Sequence, residues 1–441
     1  MVAADPFRGL RFDPAVVGDL GRVIAPPYDV ITPEARDAYE AMNPYNVVRL
    51  ILARERRDDS CRYEQAAKLL TSWRDEGALV LDSTPSLYLY EETYTVRGER
   101  RVQRGVLASV TLDDTGEVIL PHEGTMVAPV EDRLRLLEAT RANLSPIFGV
   151  YAGGGRAVGA MDAVAATVPA IDATDDSGLG HRLWTVTDTA TIERWRALIA
   201  RQRVLIADGH HRYRTALAYR DAMRLTGGVH ATSGESDPAA GRAVSGEGAP
   251  WEQTLMFLVD IDLEGPSVLP VHRVLAGVDA AAVLSRLERD FEAVPMATPT
   301  DLESRLEREP SSTVAFGLYS GGRTWLLIAR DPSALRARTG LDDPLDVDVL
   351  HEVVLTALLD LRDPEHQVRY SGNLAESCRQ VDQGMYSSVL AMRSAPFADV
   401  VRIAQRGRIL PPKTTFFYPK PRDGLVLRPL DPATFAAPST R

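Results

Sequence analysis

Residues 203–213 read Arg-Val-Leu-Ile-Ala-Asp-Gly-His-His-Arg-Tyr, and the fold turns on that stretch. Arg203 to Ala207 is a compact apolar run of strand length, of the kind a sheet buries on both faces. From Tyr213 to Leu225 the residues favour helix. Asp208-Gly209 leaves room only for a tight turn between them, so the sequence predicts a strand-turn-helix unit at the end of an α/β core.

Such a turn points the helix's first N–H groups, and the positive end of its dipole, at whatever occupies it. Gly209 can take a positive φ and lets an anion approach the backbone closely. His210 and His211 add donors, and the Arg212 guanidinium matches phosphate oxygens in pairs. The other reading is a capped turn whose histidines satisfy nearby carbonyls. Strand, turn, helix and arginine together favour the anion site.

Working outward, residues 116–225 alternate strand and helix. Val118 to Leu120, Ile147 to Tyr151 and Leu183 to Val186 read as strands, and Val130 to Leu144 as a charged helix. Asp188 or Thr189 can cap a helix with Ile192, Trp195, Leu198 and Ile199 on one side. After the first of these strands comes Leu120-Pro121-His122-Glu123-Gly124-Thr125. A glutamate on a rigid turn beside a histidine can serve as general base once partial burial moves its pKa toward neutrality. A solvated loop pair is the plainer alternative.

Residues 1–115 read as an N-terminal α+β segment. Pro44 to Leu52 is expected to be a turn and a strand, Tyr63 to Glu76 an amphipathic helix, and Leu87 to Val96 with Val102 to Leu112 a hairpin. Residues 226–250, rich in Gly, Ser, Ala and Pro, read as a flexible loop. Residues 251–441 form a C-terminal α+β region: a strand at Thr254 to Ile261, helices at Ala280 to Phe291, Val347 to Leu361 and Asp399 to Arg406, and a hairpin at Ser312 to Tyr319 and Thr324 to Ile328.

The 441 residues are 45% hydrophobic and 25% charged, ample for buried cores without staples. The formal net charge of −11 gives no basic footprint for nucleic acid. Lysine occurs only at Lys68, Lys413 and Lys420, which excludes most P-loop or Schiff-base lysine chemistry. Cys61 and Cys378 stand far apart, outside metal or disulfide spacing. No apolar run approaches the roughly 18 residues of a membrane span and no signal peptide is evident, so a cytoplasmic protein is expected.

His122-Glu123 followed by Asp208-Gly209-His210-His211-Arg212 resembles the ParB/sulfiredoxin-like fold and, within it, the free serine kinases. Over most of its length the chain is identified as a member of the domain of unknown function 1015 family. The resemblance is carried by Ala25-Pro26-Pro27-Tyr28-Asp29-Val30-Ile31, Asn43-Pro44 with Asn46 and Arg49-Leu50, His122-Glu123 with Thr125, Ile206 to Tyr213, Pro270-Val271-His272-Arg273, and Pro412 to Lys420. It implies residues 116–225 as the catalytic core, and phosphoryl transfer from pyrophosphate, ADP or ATP to L-serine or a similar small hydroxyl compound. Glu123 would then take the hydroxyl proton, Asp208 and His210 would act at the donor, and Gly209, His211 and Arg212 would bind phosphate. Magnesium is expected on the donor, with Asp208 as its protein contact.

His122, Thr125, Tyr28, Asp29, His272 and Arg273 complete the candidate substrate-binding set. For Tyr28 and Asp29 a structural turn before a helix capped by Thr32 is an equal alternative, and for His272 a core position is the safer expectation. Lys413 and Lys420 read as surface charges, and Gly153-Gly154-Gly155 as a flexible turn that misses the dinucleotide spacing. Two rival functions stay open. One is a ParB-like nucleotide-binding switch or adaptor without turnover; the other is a metal-dependent phosphohydrolase using His210, His211, Asp208 and His122 as ligands. Partners are expected to be small molecules, with no nucleic acid and no membrane, and homo-oligomerisation is left open.

Overall fold

The computed structural model describes residues 1–55, 61–96, 98–226, 249–263, 265–361, 367–411 and 413–431. They form a mixed α/β protein with two compact units. One comprises Met1–Pro121, Thr125–Pro266 and Pro419–Arg441, and the other His122–Gly124 with Ser267–Tyr418.

The first unit is built on a nine-stranded sheet. Its order runs Ile119–Leu120, Val204–Asp208, Ile147–Tyr151, Gln253–Asp260, Glu99–Thr111, Leu87–Val96, Gly180–Val186, Ile171–Thr174, and Ala4–Asp5 pairs with Glu99–Thr111. Strands from both sides of residue 115 therefore share one sheet. Val204–Asp208 lies parallel to Ile119–Leu120 and antiparallel to Ile147–Tyr151, and every residue of it is buried. Period-two alternation splits its side chains: Val204 and Ile206 join Trp184, Trp195, Met256 and Leu258 in one core. Two helices close that face. Thr189–Ile199 is capped by Asp188, whose carboxylate accepts from Thr191 N–H at 2.8 Å, and it buries Ile192, Trp195 and Ile199. His210–Leu225 contributes Tyr213, Ala216 and Leu217.

The predicted hairpin forms as Leu87–Val96 with Glu99–Thr111, and the amphipathic helix as Arg62–Asp75, burying Ala66, Leu70 and Trp73. Pro44 to Leu52 does not extend as a strand. Val48–Ile51 is a short helix, because Asn46 accepts from Val48 N–H and donates to the Arg22 and Ile24 carbonyls, folding the chain back on itself. A short apolar run cannot be assigned to strand or helix by pattern alone. Gly153-Gly154-Gly155 is a fixed turn: Gly153 and Gly155 N–H donate to the Asp260 carboxylate at 3.0 and 2.7 Å, and Gly154 N–H to Asp262.

The second unit carries a six-stranded antiparallel sheet in the order Phe291–Met296, Arg323–Ala329, Ala315–Ser320, Ser388–Ala391, His272–Leu275, Val368–Ser371. Alternation again divides it. Leu275, Phe316, Leu318 and Leu390 face helices Ala280–Leu287 and Val349–Leu358, while Val274, Ala315, Val389 and Ala391 face Pro299–Arg308 and Leu374–Asp382. The apolar helix expected over Val347 to Leu361 is largely π-wound, Leu359 N–H reaching the Val354 carbonyl. Helices Pro299–Arg308, Pro332–Arg338 and Leu374–Asp382 had no counterpart in the sequence reading. Most of the loop read over 226–250 lies outside the described residues. Among the described residues no helix is long and apolar enough to cross a membrane.

Candidate functional site

Strand Val204–Asp208 delivers Asp208 to its end, and Gly209 reverses the chain with φ +92° before the sixteen-residue helix His210–Leu225. Tyr213 N–H bonds to the Gly209 carbonyl at 2.9 Å, so the first-turn N–H groups ahead of it have no acceptor within the helix. Two constraints make Gly209 a glycine. Its φ lies in the left-handed region, and a Cβ there would stand 3.0 Å from Arg212 Nε.

Around the turn lies a cluster of charges, all from the first unit. Asp208 Oδ2 pairs with Arg212, and Asp208 Oδ1 pairs with Lys420 Nζ. Arg212 also donates to the Pro146 carbonyl. Lys420 lies 3.5 Å from Asp29 Oδ2. Desolvation opposes its charge, but Asp208 and Asp29 outweigh that and hold the ammonium above its usual pKa. Asp423 is wholly buried, and its Oδ2 accepts from Ser145 Oγ at 2.6 Å while Oδ1 has no hydrogen-bond partner. Burial pushes this carboxyl up to about 7 against the pull of Arg212. Tyr28 stands beside the cluster, its ring 4.2 Å beneath the Arg133 guanidinium and its hydroxyl pKa raised by burial.

His211 Nε2 accepts from Met126 N–H at 3.0 Å, which places the imidazole proton on Nδ1 and fixes the ring. His210 is buried at the helix start. Thr125 is exposed just ahead of helix Val127–Thr140.

Three sequence-based roles change here. Arg212 spends its outer nitrogens on Asp208 and Pro146, so it tethers the turn instead of reaching outward. Lys420, read as a surface charge, is nearly buried in the cluster. Asp208, read as a magnesium contact, has a cation on each oxygen, and among the described residues no group of three His, Cys, Asp or Glu could hold a metal. With both oxygens taken, Asp208 does not fit as the protein contact of a donor-bound magnesium, and His210, His211, Asp208 and His122 form no metal-holding group among the described residues.

In the second unit, His122 is fully buried, its Nε2 3.0 Å from Thr415 Oγ1 and 3.9 Å from Glu123 Oε1. Leu410 N–H donates to the His122 carbonyl at 2.8 Å, and Glu123 bridges to Leu410 in parallel fashion. His272 is a core residue whose Nδ1 accepts from Met392 N–H; burial, then Arg273, brings its pKa down to about 4. Arg273 donates to the Val271 carbonyl at 2.5 Å, to His351 Nε2 at 3.0 Å and to the Lys413 carbonyl at 3.3 Å. Those bonds turn it inward, where burial lowers its pKa to about 10.

Thus Tyr28, Asp29, Asp208, Gly209 and Arg212 come together, and Lys420, Asp423 and Ser145 join them unannounced. The available signal was Pro419-Lys420-Pro421-Arg422-Asp423, a proline-stiffened stretch holding one of only three lysines.

The family model described as "Protein of unknown function (DUF1015)" matches residues 4–350. A comparison with curated proteins finds no match. Among solved structures, a conserved hypothetical protein from Pyrococcus furiosus aligns at 15% identity and TM-score 0.35, covering 72% of this chain and 93% of that one. A free serine kinase in complex with AMP aligns at 16% identity and TM-score 0.33, covering 71% and 86%. SbnI with C-terminal truncation from Staphylococcus aureus aligns at 11% and 0.33, covering 74% and 87%. At such TM-scores the likeness carries no argument about chemistry.

Proposed function

The chain belongs to the DUF1015 family, and from that premise and its own residues we propose that it is a phosphotransferase with a ParB/sulfiredoxin-like core. It would move a phosphoryl group from pyrophosphate or a nucleotide to the hydroxyl of L-serine or a similar small metabolite. The observation that carries this reading is the turn at Asp208-Gly209-His210: a left-handed glycine opens a long helix, with the Lys420 ammonium held beside it by Asp208 and Asp29. Helix N–H groups and a fixed cation are what a transferring phosphoryl group requires, since the protein's task is positioning and charge neutralisation.

Residue by residue, the first-turn N–H groups and His210 hold the transferred phosphate, and Lys420 neutralises its charge. Arg212 keeps Asp208 and the turn in place, and His211, locked by Met126, positions the helix start. Glu123 enters from the sequence alone as the base. The acceptor oxygen attacks phosphorus, the bond from phosphorus to the donor's bridging oxygen breaks, and the hydroxyl proton passes to the Glu123 carboxylate. Tyr28 and Asp29 are the substrate-facing candidates of the first unit. His272 and Arg273, engaged in their own core, are left out.

The test is phosphoserine formation by the full chain with L-serine and, separately, pyrophosphate, ADP and ATP, each with magnesium supplied, alongside Glu123→Gln, His210→Ala and Lys420→Met. Product with one donor, lost in all three variants, supports the reading. A donor that binds the wild type but not His210→Ala, with no turnover on any hydroxyl acceptor, would replace it with a switch or adaptor.

A further inference from the structure

A second arginine-lined cleft lies in the first unit, adjoining the strand-turn-helix through Tyr28 and Arg133. Helices Pro33–Met42, Arg62–Asp75 and Val127–Thr140 and the turn Tyr28–Val30 contribute Arg36, Arg62, Tyr63, Asp132, Arg133 and Tyr28 to a cavity of about 200 Å³.

Its donors are not all met. Arg62 and Arg133 both bond to the single carboxylate of Asp132: Arg62 Nη2 at 2.5 Å to Oδ1, and Arg133 Nε at 2.8 Å to Oδ2. Tyr63 OH donates to the same Oδ1 at 2.8 Å, so this carboxylate is saturated. Desolvation pushes Asp132 up, but Arg133 and then the bonds from Arg133 and Tyr63 outweigh it, and the group stays ionised below its usual range. Arg36 spends Nε on Glu40 Oε1 at 3.3 Å, an oxygen it shares with Arg54. Its Nη2 is buried and has no hydrogen-bond partner. A buried guanidinium donor left unmade costs free energy comparable to a strong hydrogen bond, and an acceptor supplied by a ligand removes that cost.

Three guanidiniums from three helices face the cavity, Arg62 and Arg133 held on Asp132 and Arg36 on Glu40, and the Arg36 Nη2 donor is left unmet. Forked donors arriving from several directions suit a tetrahedral oxyanion better than a planar one. The volume lies below the roughly 300–1,000 Å³ of pockets that enclose drug-sized ligands, which sets the size at a phosphate with a short substituent. We propose that this cleft binds a phosphate group, either inorganic phosphate or the head of a small phosphomonoester. The cleft shares Tyr28 with the surroundings of the Asp208–Lys420 cluster but draws its arginine donors from other helices, and it does not depend on the phosphotransferase reading.

Calorimetric titration of the full chain with inorganic phosphate and with methyl phosphate, against sodium chloride at matched ionic strength, tests this. Arg36→Gln, Arg62→Gln and His210→Ala are titrated beside the wild type after thermal melts establish that each folds. The expected result is a phosphate isotherm weakened about tenfold or more by each arginine variant and preserved in His210→Ala. Tighter binding of methyl phosphate assigns a phosphomonoester, and tighter binding of inorganic phosphate assigns the free ion. If Arg36→Gln does not fold, Arg62→Gln decides by the same criterion. No phosphate isotherm in the wild type, or one that the arginine variants leave unchanged, overturns the proposal.

Discussion

Lys420 Nζ rests on Asp208 Oδ1, joining a side chain from the last part of the chain to the end of the buried strand that precedes the site. With Arg212 on the other oxygen, Asp208 sits between two cations that are themselves nearly buried. Lys420→Met strips one cation from a carboxylate that burial has already desolvated. The expected loss is about 3 kcal/mol of stability, as for breaking a buried pair from one side, together with loss of pyrophosphate and nucleotide binding. Urea unfolding and donor titration of the same preparation check both.

Gly209→Ala forces a Cβ into the left-handed region and against Arg212 Nε. The backbone term alone costs about 1–2 kcal/mol. Displacing the Arg212 guanidinium also disturbs its hold on Asp208, so donor affinity is expected to fall even where the variant remains folded. Wild-type affinity in a folded Gly209→Ala protein would show that the turn does not contact the donor.

Glu92 is wholly buried between Gln103 and the aromatic core, and burial pushes its carboxyl up to about 8, from the usual 4.5. The folded state thus keeps a proton that the unfolded chain releases. The stability this group contributes is complete below about pH 4.5 and falls as pH rises toward about 8. Glu92→Gln keeps the neutral form at every pH, and it is expected to flatten that fall and to gain roughly 4 kcal/mol at pH 8. Unfolding free energies at pH 5 and 8 for both proteins measure it.

The second unit carries the opposite dependence. Burial, then Arg273, lowers His272 to about 4 and His351 to about 3, from 6.5. Both imidazoles are neutral in the fold and charge readily once unfolded, so the stability they contribute is present above pH 6.5 and lost as pH falls through about 4. His351→Gln, whose amide oxygen can still accept from Arg273, is expected to weaken the acid dependence of this unit's unfolding between pH 7 and 5. An unchanged dependence would remove His351 from the account.

The strand-turn-helix was legible because local signals agree there: an apolar run, an Asp-Gly turn and a helix-forming continuation. Thr32 likewise caps Pro33–Met42 through Ala35 N–H, as its place before a proline suggests. The charge cluster was legible only in part. Asp208 and Arg212 are four residues apart on one turn, so sequence proximity announces them. Lys420 and Asp423 reach the same place through tertiary folding, and no local pattern marks a lysine as the counter-ion of a distant aspartate. Arg212 shows the converse limit: its spacing suits an outward phosphate ligand, yet the carbonyl of Pro146 and the carboxylate of Asp208 draw it inward. Val48–Ile51 was misread because the side chain that bends it, Asn46, bonds to carbonyls more than twenty positions away.

The stretch Pro419–Asp423 returns the chain to the first unit after the whole of the second has been laid down. During synthesis, the strand, turn and helix at 204–225 emerge from the ribosome long before their lysine exists. Until then Asp208 and Asp29 lack the ammonium that offsets them, and the nascent first unit must wait, incompletely neutralised, while its neighbour is made. Assembly of this charge cluster is therefore a late event in the life of each molecule, because a polypeptide released before residue 420 lacks the ammonium that completes it.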